Sequence, residues 1–225
     1  MAEPVLLSWS SGKDSYLALE ALHQADIRVA ALVTLIRHDD RVSVQGVRRE
    51  LVEEQARSLK LPLHVIEQGE NDTYEAVVGS ALREWKDQGI SHVAYGDLFL
   101  EDIKTWRDAF HKKLGMECIY PIWKQDTTAL ANQVVASGIK TTLTCVDLAR
   151  LDVSFAGRLF DVSLLKELPE TVDPCGENGE FHTFVSDGPL FDYPIRFKKS
   201  DTMVRDFKDP GHSFSFGFCD LKPEN

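Results

Sequence analysis

The chain contains no apolar run near the roughly 20 residues that a membrane-spanning helix needs, so no such span is expected. Its opening, Met1 to Pro4, is too short and too acidic to read as a signal peptide. Cysteine is scarce. Cys118, Cys145, Cys175 and Cys219 are the only four, and no two have the CxxC spacing of a zinc knuckle. Scattered single cysteines without a leader read as the reduced thiols of a cytoplasmic protein. Positive charge is also short: 25 Lys and Arg face 36 Asp and Glu, a net charge of −11. Binding a polyanion relies on neutralising phosphates, so nucleic acid is a poor main partner. Tandem repeats, low-complexity tracts and Pro/Gly/Ser linkers are missing as well. What is present is ordinary globular composition, 43% hydrophobic and 27% charged over 225 residues. That length allows one large α/β domain, or a main domain with a small second lobe. Homo-oligomerisation is left open.

The first two thirds alternate short apolar runs with helical periodicity. Strands are expected at Val5–Trp9, Val29–Leu35, Leu63–Ile66, His92–Tyr95, Cys118–Tyr120 and Lys140–Val146. Helices are expected from Asp14 to Ala25, up to about Leu59, from a cap at Asn71 or Asp72, up to Leu114, and over Thr127–Ser137. The third helix has the clearest apolar stripe, with Tyr74, Val77, Val78, Ala81, Leu82 and Trp85, which reads as core packing. Arg37–Gln45 reads as a mobile polar loop. Alternating strands and helices imply a doubly wound, mainly parallel α/β sheet with both faces covered. Ligands of such sheets sit at the carboxyl ends of the strands. The pattern changes near residue 147. From Leu151 to Leu190 there are eight acids and two bases, and the tail is rich in Phe, Pro and Gly. The expected division is therefore a nucleotide-type domain over 1–147 and an acidic α+β substrate-side lobe over 148–225.

The sharpest local signal is Ser8-Trp9-Ser10-Ser11-Gly12-Lys13-Asp14-Ser15, between the first strand and the first helix. Backbone N–H groups of such a turn, with the helix N-terminus, form an anion site. Ser10, Ser11 and Ser15 add hydroxyls, and Lys13 adds charge. A Walker A loop is excluded, because Leu7 and Asp14 occupy positions that need Gly and Ser or Thr. The competing reading is a tight turn into a helix whose first turn carries Asp14 and Ser15 for stability alone.

The second motif is Asp173-Pro174-Cys175-Gly176-Glu177-Asn178-Gly179-Glu180-Phe181-His182-Thr183-Phe184. Glu177, Glu180 and His182 supply acid/base or ligand groups. The competing reading is a solvated acidic loop entering a half-buried strand, with Phe181, Thr183 and Val185 on one face and His182 and Phe184 on the other. Cys175 has no histidine marked out to activate it and reads as structural. Arg107 reads as a surface helix residue ahead of one that faces phosphate, and Trp123 as core or as an adenine platform.

Ser10–Ser15 resembles the S-G-G-x-D-S loop of ATP pyrophosphatases, with Ser11 in place of the first Gly. With Arg41–Val47, Tyr95–Asp102, Tyr120–Trp123 and the Gly176–Phe184 run, the chain resembles the diphthine–ammonia ligase family over nearly its whole length, especially the shorter bacterial-type members. The resemblance implies an adenine nucleotide alpha-hydrolase-like fold and an ATP-dependent ligase, which adenylates a carboxylate, releases pyrophosphate and transfers ammonia. It places ATP on Ser10, Ser11, Gly12, Lys13, Asp14, Ser15, Thr34, Gly96 and Asp97. Mg²⁺ falls to Asp14 or Asp97, the acceptor to Glu177, Asn178, Gly179 and Glu180, and chemistry to Lys13, Asp14, Glu180 and His182. Asn178 and His182 stand where the eukaryotic and archaeal ligases carry Gly and Glu, so the acceptor is open to change. An acidic aromatic surface suits a cationic acceptor, and His182 is positioned in the motif to take a proton from the amine. Other readings are an ATP pyrophosphatase acting on a different small metabolite or on tRNA, and a nucleotide sensor without turnover.

Overall fold

The computed structural model describes residues 3–43, 45–209 and 212–224. The first two residues, part of the stretch read for a leader, lie outside it, as does Val44 in the loop read as mobile.

Five strands form a parallel sheet: β1 (Val5–Ser8), β2 (Val29–Arg37), β3 (Leu63–Gln68), β4 (His92–Ala94) and β5 (Glu117–Ile119). Their order is β3-β2-β1-β4-β5. The helices that alternate with them are α1 (Lys13–Gln24), α2 (Arg49–Leu59), α3 (Tyr74–Asp87) and α4 (Glu101–Lys113). β1 is apolar on both faces because both are covered. Val5 and Leu7 join the core that holds Leu17 and Leu22 of α1 and Val52 of α2, while Leu6 joins Val78 and Leu82 of α3 and Phe110 of α4. Successive strands are added to one side of β1 up to β3 and to its other side from β4 on, so the winding reverses between β1 and β4. A doubly wound sheet opens a crevice at that switch point, beyond the strands' carboxyl ends. The turn after β1 and the turn after β4 meet there.

After α5 (Thr127–Ala136) comes an antiparallel sheet in the order β7-β6-β9-β8, formed by β6 (Lys140–Asp147), β7 (Phe181–Asp187), β8 (Phe197–Asp209) and β9 (His212–Pro223). A short α6 (Val162–Glu167) precedes the second motif. The pattern of the sequence groups β6 with the first 147 residues, whereas in three dimensions it pairs with β7 and β9. Its Leu143 and Val146 nevertheless join the same core as β1, so apolar content alone does not reveal which sheet the strand enters.

Two local expectations change. The cap of α3 is Thr73, whose hydroxyl accepts from Ala76 N–H, while the Asp72 carboxylate turns back to accept from Gly69 N–H. The segment read as a mobile loop is pinned. It carries the bridges Ile36–Val42 and Arg41–Arg48, and Arg41 reaches Asp220 of β9 at 2.8 Å. Arg48 reaches the other oxygen of Asp220 at 2.7 Å. Burial alone would raise this carboxyl, but the Arg48 and Arg41 guanidiniums outweigh it and hold Asp220 down to about 2. The Asp220 contribution is therefore present above the ordinary aspartate range and is lost as pH falls towards 2. Asp220→Asn leaves two guanidiniums without their counter-charge. It should lower unfolding free energy at pH 7 by about 2 kcal/mol, read by urea denaturation, with the difference shrinking below pH 4.

Candidate active site

The site begins where β1 ends. Trp9 N–H continues the ladder to the Val33 carbonyl, and then the chain turns sharply. Ser11 takes φ 71°, the left-handed region that favours glycine. It occupies the position where the resembled motif carries Gly, so this serine holds a glycine conformation. Its carbonyl accepts from Val185 N–H of β7 at 2.9 Å and from the Gln55 amide at 3.1 Å. The same Gln55 amide reaches the Val185 carbonyl, and its oxygen accepts from the Trp9 indole. Fully buried Gln55 thus ties the loop, α2 and β7 together.

β7 is the edge strand of the second sheet, and this edge faces the loop. Lys13 N–H, at the start of α1, donates to the Thr183 hydroxyl at 3.0 Å. A side chain at Gly12 would come within 2.9 Å of the Thr183 carbonyl, so only glycine fits. Ser15 Oγ donates to the Gly12 carbonyl, and Ser10 Oγ donates to Ser15 Oγ. The Ser11 and Thr34 hydroxyls are buried without a hydrogen-bond partner. Two orphaned hydroxyls, one in the loop and one on β2, beside the Lys13 charge, are compatible with a nucleotide's oxygens.

Lys13 is the centre of charge. It is 2% exposed, and its Nζ donates to both Asp14 oxygens and to the Cys175 carbonyl, 5.4 Å above the Phe181 ring. Burial would lower its pKa, but Asp14 and its neighbours prevail and raise it, so the ammonium stays charged. The first motif therefore plugs directly into the second.

The turn after β4 closes the other side. Gly96 lies against the Asp14 backbone. Asp97 pairs with Arg107 at 2.9 Å, and that guanidinium lies 4.1 Å from the centre of the Tyr95 ring. Burial raises the Asp97 pKa against the pull of Arg107, with Asp14 adding to the rise. Arg107, expected on the surface, is instead largely covered and committed to Asp97. Asp14 is the more accessible carboxylate, 30% exposed. Among the described residues no group of three or more His, Cys, Asp and Glu is arranged to hold a metal. Mg²⁺ commonly needs only one or two carboxylates when phosphates supply the rest, and Asp14 fits that role.

In the second motif, Glu180 is buried. Its oxygens accept from the N–H groups of Asp173 and Asn178 and from the Asn178 amide. Asp173 in turn accepts from Cys175 and Glu177 N–H groups. These bonds fold the loop so that Glu177 reaches across to accept from Leu98 N–H at 2.7 Å. Desolvation, assisted by Asp14 and Asp97, pushes the Glu177 carboxyl up to about 7. Burial and the Lys13 charge push His182 down to about 4, leaving it neutral. Cys175 donates to the Thr127 carbonyl, and burial pushes its thiol up to about 12, which suits the structural reading. Gly179 and Asn178 lie at the outer bend of the loop, with Asn178 exposed.

Gln55 and Thr183 are site residues outside the sequence-based set, while Arg107 is turned to Asp97. Gln55 had a signal: a polar residue on the buried stripe of α2, between Leu51, Val52, Ala56 and Leu59. Thr183 lay within the second motif but carried no mark of its distant partner.

These features define a doubly wound α/β protein whose first loop is closed by the edge of a second, antiparallel sheet. The sequence models of the diphthamide synthase N-terminal domain, over residues 4–118, and of the diphthamide synthase C-terminal domain, over residues 126–222, both match, and the chain belongs to that family. A diphthine–ammonia ligase of Schizosaccharomyces pombe is 26% identical over 207 residues, covering 81% of this chain and 34% of that protein. A diphthine–ammonia ligase of Danio rerio is 25% identical over 220 residues, covering 87% of this chain and 86% of that protein. The chain thus spans about a third of the length of the fission yeast relative.

Proposed function

We propose that the chain is an ATP-dependent ligase that joins ammonia to a carboxylate through an acyl-adenylate. The observation that carries this reading is the convergence of both motifs on one crevice: Lys13 lies between Asp14 and the Cys175 carbonyl, and Glu177 lies on the Leu98 amide. In this reading the Ser10–Ser15 loop holds the β- and γ-phosphates, with Lys13 neutralising them and Thr34 and Gly96 bounding the nucleotide. An acceptor carboxylate oxygen forms a bond to the α-phosphorus, and the bond to the bridging oxygen breaks to release pyrophosphate. Ammonia then adds to the acyl carbon and AMP departs. Charge on the leaving group dominates the barrier, so fixed donors carry most of the catalysis. Mg²⁺ on Asp14, with Asp97 nearby, would supply further charge neutralisation.

Ammonium must lose a proton before it can attack. A base works best when its pKa lies near the working pH. Glu177 meets this condition and His182, at about 4, does not. The proton therefore goes to Glu177, while neutral His182 orients the acceptor by hydrogen bonding. Glu180 acts through the loop it holds, with Asn178 and Gly179 at its bend. Four free cysteines support a reducing, cytoplasmic setting, and no helix among the described residues is long and apolar enough to cross a membrane. The net charge of −11 argues against a tRNA acceptor.

The test is nucleotide product analysis with ATP, Mg²⁺, ammonium and a metabolite extract. AMP and pyrophosphate are expected, and Asp14→Asn should reduce their formation at least 100-fold. ADP and phosphate as products would overturn adenylation.

A further inference from the structure

Between the segment after β2 and the second sheet lies a cavity of about 180 Å³. Its floor is aromatic, with Phe207, Phe216 and Phe218, and its rim carries Arg37, Arg41 and Arg205. We propose that this cavity receives the acceptor, and that the acceptor is a small anionic compound with an apolar body about the size of one ring. The inference rests on the ligase reading and names the substrate class for it.

Three observations lead there. The first is size. A cavity of 150 Å³ lined by apolar side chains holds benzene, so this one admits a ring or a short branched chain. The second is charge. Among the described residues one carboxylate, Asp39, joins the rim, 3.8 Å from Arg37. Arg41 is committed to Asp220 and to the Gly46 carbonyl. Arg205 has no carboxylate within ion-pair distance among the described residues. It lies 5.5 Å from the centre of the Phe218 ring, with its other contact to the Met203 sulfur. A guanidinium over an aromatic ring, with one nitrogen turned only to a weak thioether acceptor, matches a carboxylate by geometry as well as charge. The third is position. Cys145 lines the cavity, and in the β6–β7 register it pairs with His182, while in the β6–β9 register it pairs with Phe218. Residues paired across strands share a face of the sheet. A row thus runs from the Phe218 floor through Cys145, across a bulge in the β6–β7 pairing, to His182, which burial and the Lys13 charge keep neutral. His182 directly precedes Thr183, whose hydroxyl accepts from Lys13 N–H.

This assignment reverses the sequence-based expectation of a cationic acceptor. The aromatic floor by itself would welcome a quaternary ammonium, but the arginine rim repels one.

Binding of phenylacetate, benzoate and benzyltrimethylammonium to the full chain would be measured by isothermal titration at low salt, without nucleotide. ATP binding and AMP release would be followed in parallel on the same protein. Phenylacetate or benzoate should bind saturably, with affinity lowered about tenfold by Arg205→Ala, and the quaternary ammonium should not compete. Arg205 is exposed on β8, so this variant retains the fold and should bind ATP unchanged. Tighter binding of the quaternary ammonium overturns the proposal. So does the absence of carboxylate binding in a chain that still binds ATP and releases AMP. Carboxylate binding that depends on Arg205, in a chain that never forms AMP, supports the cavity and overturns the ligase reading alone.

Discussion

Gly96→Ala should weaken ATP binding at least 30-fold while leaving the parallel sheet folded. A Cβ at this position would sit 2.6 Å from the Asp14 carbonyl oxygen, 2.7 Å from its carbon and 3.0 Å from Ser15 N. These are backbone atoms of the first turn of α1, and they cannot rotate away as a flexible side chain would. The Asp14 backbone is fixed from the opposite side, because Lys13 N–H is held by Thr183 and the Ser11 carbonyl by Val185 and Gln55. One methyl group must therefore push the two turns at the switch point apart. Overpacking of this kind costs about 1–3 kcal/mol, which a chain of this size can tolerate. The displaced N–H groups and Asp14 cannot. Calorimetry should show ATP affinity lowered at least 30-fold, with far-ultraviolet circular dichroism unchanged. Unaltered affinity would mean that the nucleotide does not bind where the β1 and β4 turns meet.

Glu177→Gln should shift stability and activity in opposite directions. The carboxyl titrates at about 7 in the folded chain because ionising it beside Asp14 and Asp97, partly out of water, is unfavourable. Below the ordinary glutamate range the group is neutral in both folded and unfolded chains. Stability is then lost as pH rises through 7, where the unfolded chain ionises freely and the folded one does so at a cost. Discounted for partial contact with solvent, the penalty at pH 8 is about 2 kcal/mol. Gln can still accept from Leu98 N–H and never ionises. The variant should melt about 4–8 °C higher than the parent at pH 8, with the gain fading below pH 5. Turnover should fall about 100-fold, and the inflection near pH 7 in kcat/KM should disappear. A variant that is stabilised but fully active would leave the ammonium proton without its assigned acceptor.

The parallel sheet was legible because each of its elements is local: a strand or a helix declares itself within a dozen residues through its apolar period. The phosphate-type loop was legible for the same reason, and the glycine-acid motif by its composition. What escaped was long-range. Asp220 looks like any acid of the tail until β9 brings it between Arg41 and Arg48. That pair is why a polar segment, read as mobile, is anchored. Thr183 carries no local mark of its role, and Gln55 shows only as a polar residue on an apolar stripe, because their partners lie far away in sequence. The electrostatic roles were equally hidden. Which of Glu177 and His182 is the better base depends on burial and on the distance to Lys13 and Asp14, and spacing in the chain reveals neither. Cap choice was missed at a finer scale, since Asn71, Asp72 and Thr73 all suit the task and backbone direction decides between them.

The bond between Lys13 N–H and Thr183 joins residues 170 positions apart. On the ribosome, at about 5–20 residues per second, that separation is roughly ten to thirty seconds of synthesis. For all of that time the first loop exists without the strand that shapes it. Until β7 is made, Ser11 has no Val185 amide to hold its left-handed turn, and Lys13 has no Cys175 carbonyl to meet. A nascent or truncated chain that stops before β7 should therefore be catalytically silent. The later-made strand is the key that turns the first-made loop into a site.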